Sequence, residues 1–221
     1  MDGELLGTNE TGVKPVLGFM FSPADRFSIG ISLSKIFLFD SSSTYQFTQS
    51  RSGYSGDPTY LSDITPNTSI AVTDAKRKYP YQIGVGLAYF PTNAFLCALD
   101  INYFTRVDDY VFGDKKSVVN IAAGAEYYLS RNWALRAGLF TNMSNSESLP
   151  VSRTVFSPIP EDTDLYGGTI SISRFTRNTS VTLGGSFSYG TGKAQVIAGS
   201  NSLQDETIRS WTIFISSSYS Y

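Results

Sequence analysis

The stretch "AEYYLSRNWALRAG", residues 125–138, decides how this chain folds. Apolar and polar residues alternate up to Ser130, the alternation breaks at Ser130-Arg131-Asn132, and it resumes at Trp133. A period of two belongs to a strand with one apolar face, and a short polar break between two such runs signals a hairpin. The stretches "GFMFSPADRFSIGI" (18–31), "LAYFPTNAFLCAL" (87–99) and "SRFTRNTSVTLGG" (173–185) are written in the same way. Each places aromatics beside a tight turn built from Pro, Ser, Thr, Asn, Asp or Arg.

The alternation divides each run into two faces. Over 95–103, Phe95, Cys97, Leu99, Ile101 and Tyr103 oppose Leu96, Ala98, Asp100 and Asn102. Over 119–129, Val119, Ile121, Ala123, Ala125, Tyr127 and Leu129 oppose Asn120, Ala122, Gly124, Glu126 and Tyr128. Over 133–141, Trp133, Leu135, Ala137 and Leu139 oppose Ala134, Arg136, Gly138 and Phe140. Runs 17–21, 27–33 and 83–89 behave alike, with Gly and Ser on the second face. Three-residue loops would pair Leu129 with Trp133 and Tyr127 with Leu135. They would also pair Tyr89 with Phe95, Leu87 with Cys97, and Phe21 with Phe27. The turn at Arg177-Asn178 needs a loop one residue shorter or longer, and no register is assigned to it.

Composition narrows the partners. The 221 residues carry 17 Lys+Arg against 19 Asp+Glu, a formal charge of -2, so there is no basic field for nucleic acid. Charged residues are 16%, below the roughly 25% of ordinary soluble domains. One cysteine, Cys97, excludes an internal disulfide, and the absence of histidine removes the commonest general base and metal ligand. No catalytic residue, metal site or cofactor is expected. No run of about 18 apolar residues suggests a membrane helix.

Strands can still cross a membrane. Period-2 runs of about ten residues suit tilted spanning strands. The four tight turns are separated by polar connections near 41–77, 107–116, 145–163 and 191–208. Short turns at one end and long polar loops at the other characterise outer-membrane barrels, with the short turns periplasmic. Phe21, Phe27, Tyr89, Phe95, Tyr127 and Trp133 would form an interfacial girdle. The expected fold is therefore an all-β, antiparallel, up-and-down transmembrane β-barrel domain over 1–221, with about nine spanning strands. A weakly alternating hairpin within 41–77 ("STYQFTQ", "SIAVTD") would stand above the membrane. A soluble sandwich is the alternative, but it requires neither one-sided loop lengths nor aromatics gathered at the short turns.

The stretches "YPYQIGVGLAYFPTNAFLCALDINYF" (79–104), "NIAAGAEYYLSRNWALRAGLFTN" (120–142) and "DLYGGTISISRFTRNTSVTLGGSFSYGTGK" (164–193) carry a resemblance. They are similar to the C-terminal part of the long-chain fatty acid and aromatic hydrocarbon transporters of bacterial outer membranes (FadL/TodX type). The resemblance covers about Val13 to Tyr221 and rests on spaced aromatics and glycines. It implies an outer-membrane location and uptake of hydrophobic small molecules. It also implies contact with outer-membrane lipid, and assembly machinery that reads a C-terminal strand ending at Tyr221. Family members have fourteen strands and an N-terminal hatch, which this sequence does not show. The resemblance therefore implies a C-terminal fragment, or a start at an internal methionine.

Candidate ligand- and lumen-lining residues are Gln82, Phe90, Asp100, Asn102, Asn120, Glu126, Tyr128, Arg136 and Phe140. Rings would accept an acyl chain or aromatic body, and Arg136 is the natural partner of a ligand carboxylate. The plainer expectation is that Glu126 and Arg136, directly opposite each other, pair to satisfy a crowded interior. Gly84, Gly86, Gly124, Gly138 and Gly184 would leave room for a ligand or ease curvature. Two other functions remain open: a passive porin, suggested by Ser180, Thr182, Ser186 and Ser188, and a structural or adhesive barrel.

Overall fold

The computed structural model describes residues 2–49, 70–73, 76–109, 113–147, 162–194 and 203–219. In chain order the strands are β1 (Asp2–Val13), β2 (Val16–Ala24), β3 (Phe27–Lys35), β4 (Phe37–Gln49), β5 (Ile70–Thr73) and β6 (Tyr81–Thr92). They continue with β7 (Phe95–Phe104), β8 (Val118–Ser130), β9 (Trp133–Asn142), β10 (Asp162–Phe175), β11 (Thr179–Ala194) and β12 (Gln204–Tyr219). Two compact units emerge: Met1–Lys14 with Ile36–Tyr79, and Pro15–Lys35 with Pro80–Tyr221.

The first unit is a three-stranded antiparallel sheet in the order β1-β4-β5. The hairpin expected within 41–77 is there: β4 and β5 pair from Ser42↔Thr73 to Tyr45↔Ile70. Strand β1 was not legible, because "DGELLGTNETGV" hardly alternates. Its ladder with β4, from Asp2↔Gln49 to Val13↔Phe37, is held by backbone groups that need no side-chain period. Near it the Tyr79 hydroxyl donates to Glu10 at 2.7 Å, and this bond raises the Tyr79 pKa above its ordinary value.

The second unit is a nine-stranded antiparallel meander, β12-β11-β10-β9-β8-β7-β6-β3-β2, matching the expected number of strands. Its interior register agrees with the reading at one hairpin: Tyr127 faces Leu135 and Glu126 faces Arg136. The turn itself is shorter than expected. Ser130, not Leu129, pairs with Trp133, and an extra residue bulges from β8 ahead of Arg131-Asn132. The β2–β3 and β6–β7 hairpins share this bulge, which advances their registers by two residues. Phe21 meets Ile29 rather than Phe27, Tyr89 meets Cys97 rather than Phe95, and Leu87 meets Leu99 rather than Cys97. A shift of two leaves every side chain on its face, so apolar still meets apolar. At the fourth turn Phe175 pairs with Ser180, and the Thr176 N–H donates to the Thr179 carbonyl at 2.7 Å around Arg177-Asn178.

Strands also run further than their apolar alternation. The connections expected near 145–163 and 191–208 are shortened, because β10 starts at Asp162, β11 reaches Ala194 and β12 starts at Gln204. Asp162↔Lys193 and Lys193↔Asp205 are ladder pairs. Residues 191–194 of the expected connection are therefore strand. Tyr221 lies outside the described residues.

The two faces of this sheet are arranged inside-out. The buried residues of its described strands are Ser34, Gly84, Val118, Ala134, Thr163, Ser173 and Gly190. By register all seven share the face bearing Asp100, Asn120, Glu126 and Arg136. On the other face Leu139 is 72% exposed, Ile170 60%, Trp211 77% and Ile213 85%. Leu139 and Ile170 sit on central strands β9 and β10, so an open edge does not explain their exposure. Side chains crowd on the polar face as well. A Cβ at Gly84 would meet the Ser32 hydroxyl at 2.6 Å, and one at Gly184 would meet Ser171 Cβ at 2.6 Å. On the apolar face a Cβ at Gly168 would meet nothing nearer than 3.5 Å. Convergence on one face and divergence on the other is the signature of curvature toward the polar side.

Candidate functional site

The sheltered face presents a ladder of polar groups and rings across β6–β12. At its centre the guanidinium of Arg136 grips Glu126 with two bonds, Nε to Oε2 at 2.9 Å and Nη2 to Oε1 at 3.2 Å. Cross-strand opposition on β8 and β9 makes this two-point geometry possible. Arg136 Nη1 donates to Ser173, which is fully buried, and the Ser173 and Thr182 hydroxyls lie 2.7 Å apart. The ring of Tyr128, on the same face two residues from Glu126, stacks on Phe175 at 6.1 Å between centroids. The Arg136 guanidinium lies 6.0 Å from the same ring. A continuous network thus joins four strands.

Towards the ends with longer connections, Ser34 donates to Gln82 at 3.4 Å and Gln82 to Asn102 at 3.3 Å. Asn120 accepts the Met143 N–H at 2.7 Å. A cavity of about 480 Å³ spans Leu96, Asp100, Glu126, Arg136, Phe140 and Phe214. Another of about 410 Å³ lies over Gly30, Ser32 and Gly84 and also reaches Asp100 and Asn102.

Of the nine candidate residues, the register sets Gln82, Asp100, Asn102, Asn120, Glu126, Tyr128, Arg136 and Phe140 on this face. Phe90 stands apart. It lies in the bulge before Asn93-Ala94, 42% exposed, with its N–H donating to the Arg26 carbonyl at 2.9 Å. The glycines hold the neighbours' side chains. The Phe140 ring covers Gly167, and Phe214 with Ser171 covers Gly184. Ser173, Phe175 and Phe214 do not stand out in the sequence, and Thr182 stands out only as one of a row of hydroxyl residues. Their signal was the Ser/Thr alternation of β10–β12, which reads as filler until the register brings it beside Arg136.

Chemically, this surface is a poor anion site. Both Glu126 oxygens occupy Arg136, so its charge is already neutralised. Asp100 adds a carboxylate to the same cavity, leaving two acids against one base. Among the described residues no group of three or more His, Cys, Asp or Glu could hold a metal ion. What the cavity offers is aromatic and aliphatic contact with a rim of hydroxyls.

Neither a protein-family model nor a curated protein sequence matches this chain. Among solved structures the chain is similar to one described as the CymD monoaromatic hydrocarbon channel, with a TM-score of 0.55 and 17% identity. The match covers 93% of this chain and 50% of that one, so the chain spans about half the length of the channel. At this identity the likeness is one of fold: the nine-stranded sheet has the architecture of a channel's barrel wall.

Proposed function

We propose that this chain forms barrel wall in a bacterial outer membrane and serves the uptake of hydrophobic small molecules. The observation that carries the reading is the inside-out sheet. A contiguous apolar face through Leu17, Leu139, Ile170 and Ile213 would aggregate in water, but it is the correct surface against acyl chains. The fold likeness to a hydrocarbon channel supports the direction of this reading. Outer-membrane lipid is then the partner of the apolar face, and the C-terminal strand β12 is the segment offered to the assembly machinery.

Within this class the interior chemistry favours uncharged substrates. Arg136 is spent on Glu126, and Asp100 repels a carboxylate, so aromatic hydrocarbons fit the cavity better than ionised fatty acids. Uptake of labelled toluene and of a labelled long-chain fatty acid by cells expressing the full gene tests this. Toluene should enter above the vector control. Free passage of small sugars with no gain for either hydrophobic substrate would install the porin reading, which Ser173, Thr182, Ser186 and Ser188 on the same face support.

A further inference from the structure

A separate cavity of about 390 Å³ sits where β7–β10 meet their longer connections. Its floor is apolar, with Phe104, Val118, Leu165 and Ile208, and its wall is the segment 143–146. That wall is pinned from three sides. Met143 N–H donates to Asn120, Ser144 N–H to Asp164 at 2.8 Å, and the Asn145 carbonyl accepts from Lys116 N–H at 2.9 Å. The cavity is thus preformed.

Two side-chain oxygens, one in the cavity lining and one on the same cross-strand row two strands away, have no hydrogen-bond partner. Thr163 lines the cavity, is 7% exposed, and its Oγ1 is unsatisfied. Glu206 Oε2 is buried and unsatisfied too. The ladder aligns them on one row, Thr163↔Gly192↔Glu206. Gly192 has no side chain to separate them, and a Cβ there would collide with the Thr163 hydroxyl, which therefore leans over that glycine. Orphaned buried polar groups are costly and demand an explanation. A carboxylate can only accept, so the missing partner must donate.

The geometry points to a subsite at this end of the sheet for small molecules with a ring-sized apolar body and a hydroxyl head, a phenol or alcohol. The floor takes the body, and Thr163 with Glu206 takes the hydroxyl. A carboxylate head is repelled by Glu206, and a pure hydrocarbon leaves both acceptors unsatisfied. The subsite rests on the barrel reading only for its place at the mouth of the interior.

Binding to the full chain in lipid nanodiscs tests it, with 4-methylphenol, toluene and 4-methylbenzoate as probes read by saturation-transfer NMR. The expected order is 4-methylphenol over toluene by about tenfold, with 4-methylbenzoate weakest. Thr163→Val and Glu206→Met should each cut that preference to about threefold or less, while Ser218→Ala should leave it unchanged. A photoreactive 4-methylphenol should label peptides within 143–147 or 162–165 of the unsubstituted chain, which decides the matter even if a variant does not fold. Equal binding of phenol and toluene, a preference that survives both substitutions, or labelling confined elsewhere overturns the subsite. Loss of uptake with binding intact sinks the transport reading alone.

Discussion

At Arg136 the interior solves a charge problem locally. Glu126 is 14% exposed and Arg136 36%, so neither charge is fully hydrated, and each relies on the other. Removing one leaves the other partly desolvated without its partner, which costs more than removing both. Arg136→Met alone should destabilise the protein by about 1–3 kcal/mol more than the double substitution Glu126→Leu/Arg136→Met, read from urea unfolding in vesicles. Glycines obey the same local logic. Gly184→Ala drives a methyl into Ser171 and the Phe214 ring and should cost about 1–3 kcal/mol. Gly30→Ala meets nothing within 4 Å and should stay within about 0.5 kcal/mol of the parent in the same assay.

Each strand here carries an exposed apolar face and a sheltered polar one, which the proposed reading sets against lipid and lumen. Labels at Leu99, Ile121 and Leu135 should be quenched by acyl-chain quenchers in bilayers, while labels at Asp100 and Asn120 should not; equal quenching would reverse the orientation. Ile170→Lys places a charge in the middle of the apolar face and should cost about 2–4 kcal/mol of folding free energy in vesicles. Cations mark both margins of that face. Arg174 stands over Trp133 at 5.7 Å near the short turns, whereas Lys35 over Tyr81 at 4.1 Å and Arg209 over Tyr189 at 5.8 Å stand toward the other end. Ring-and-cation pairs at both ends suit the two headgroup levels of a bilayer.

For the molecule as a whole, the transport reading proposed above makes the balance of charge on the sheltered face the feature that selects substrates. Two acids against one base around the central cavity, and an unsatisfied Glu206 Oε2 near the longer connections, would on that reading disfavour anions. Uptake of toluene should exceed uptake of 4-methylbenzoate at least several-fold at neutral pH in cells expressing the full gene. Asp100→Asn should narrow that gap by relieving repulsion, and an unchanged ratio would show that the charge lies off the path.

Much of this was written in the chain at short range. The period-2 alternation of 95–103, 119–129 and 133–141 determined the strands, their faces and the nine-strand count, because side-chain direction in a strand repeats every two residues. The opposition of Glu126 and Arg136 followed from one turn. Other features depend on partners distant in sequence. The bulges that advanced two hairpins were invisible, since a one-residue extra in a turn costs little and the face pattern survives it. Strand β1 is not legible in the sequence because its residues hardly alternate. Ser173 gained its role only when β10 fell beside Arg136 on β9, and Thr163 and Glu206 only when Gly192 came between them. Alternation is a property of one strand, so sequence determines it alone; a row across strands is a property of register, which only the assembled sheet decides.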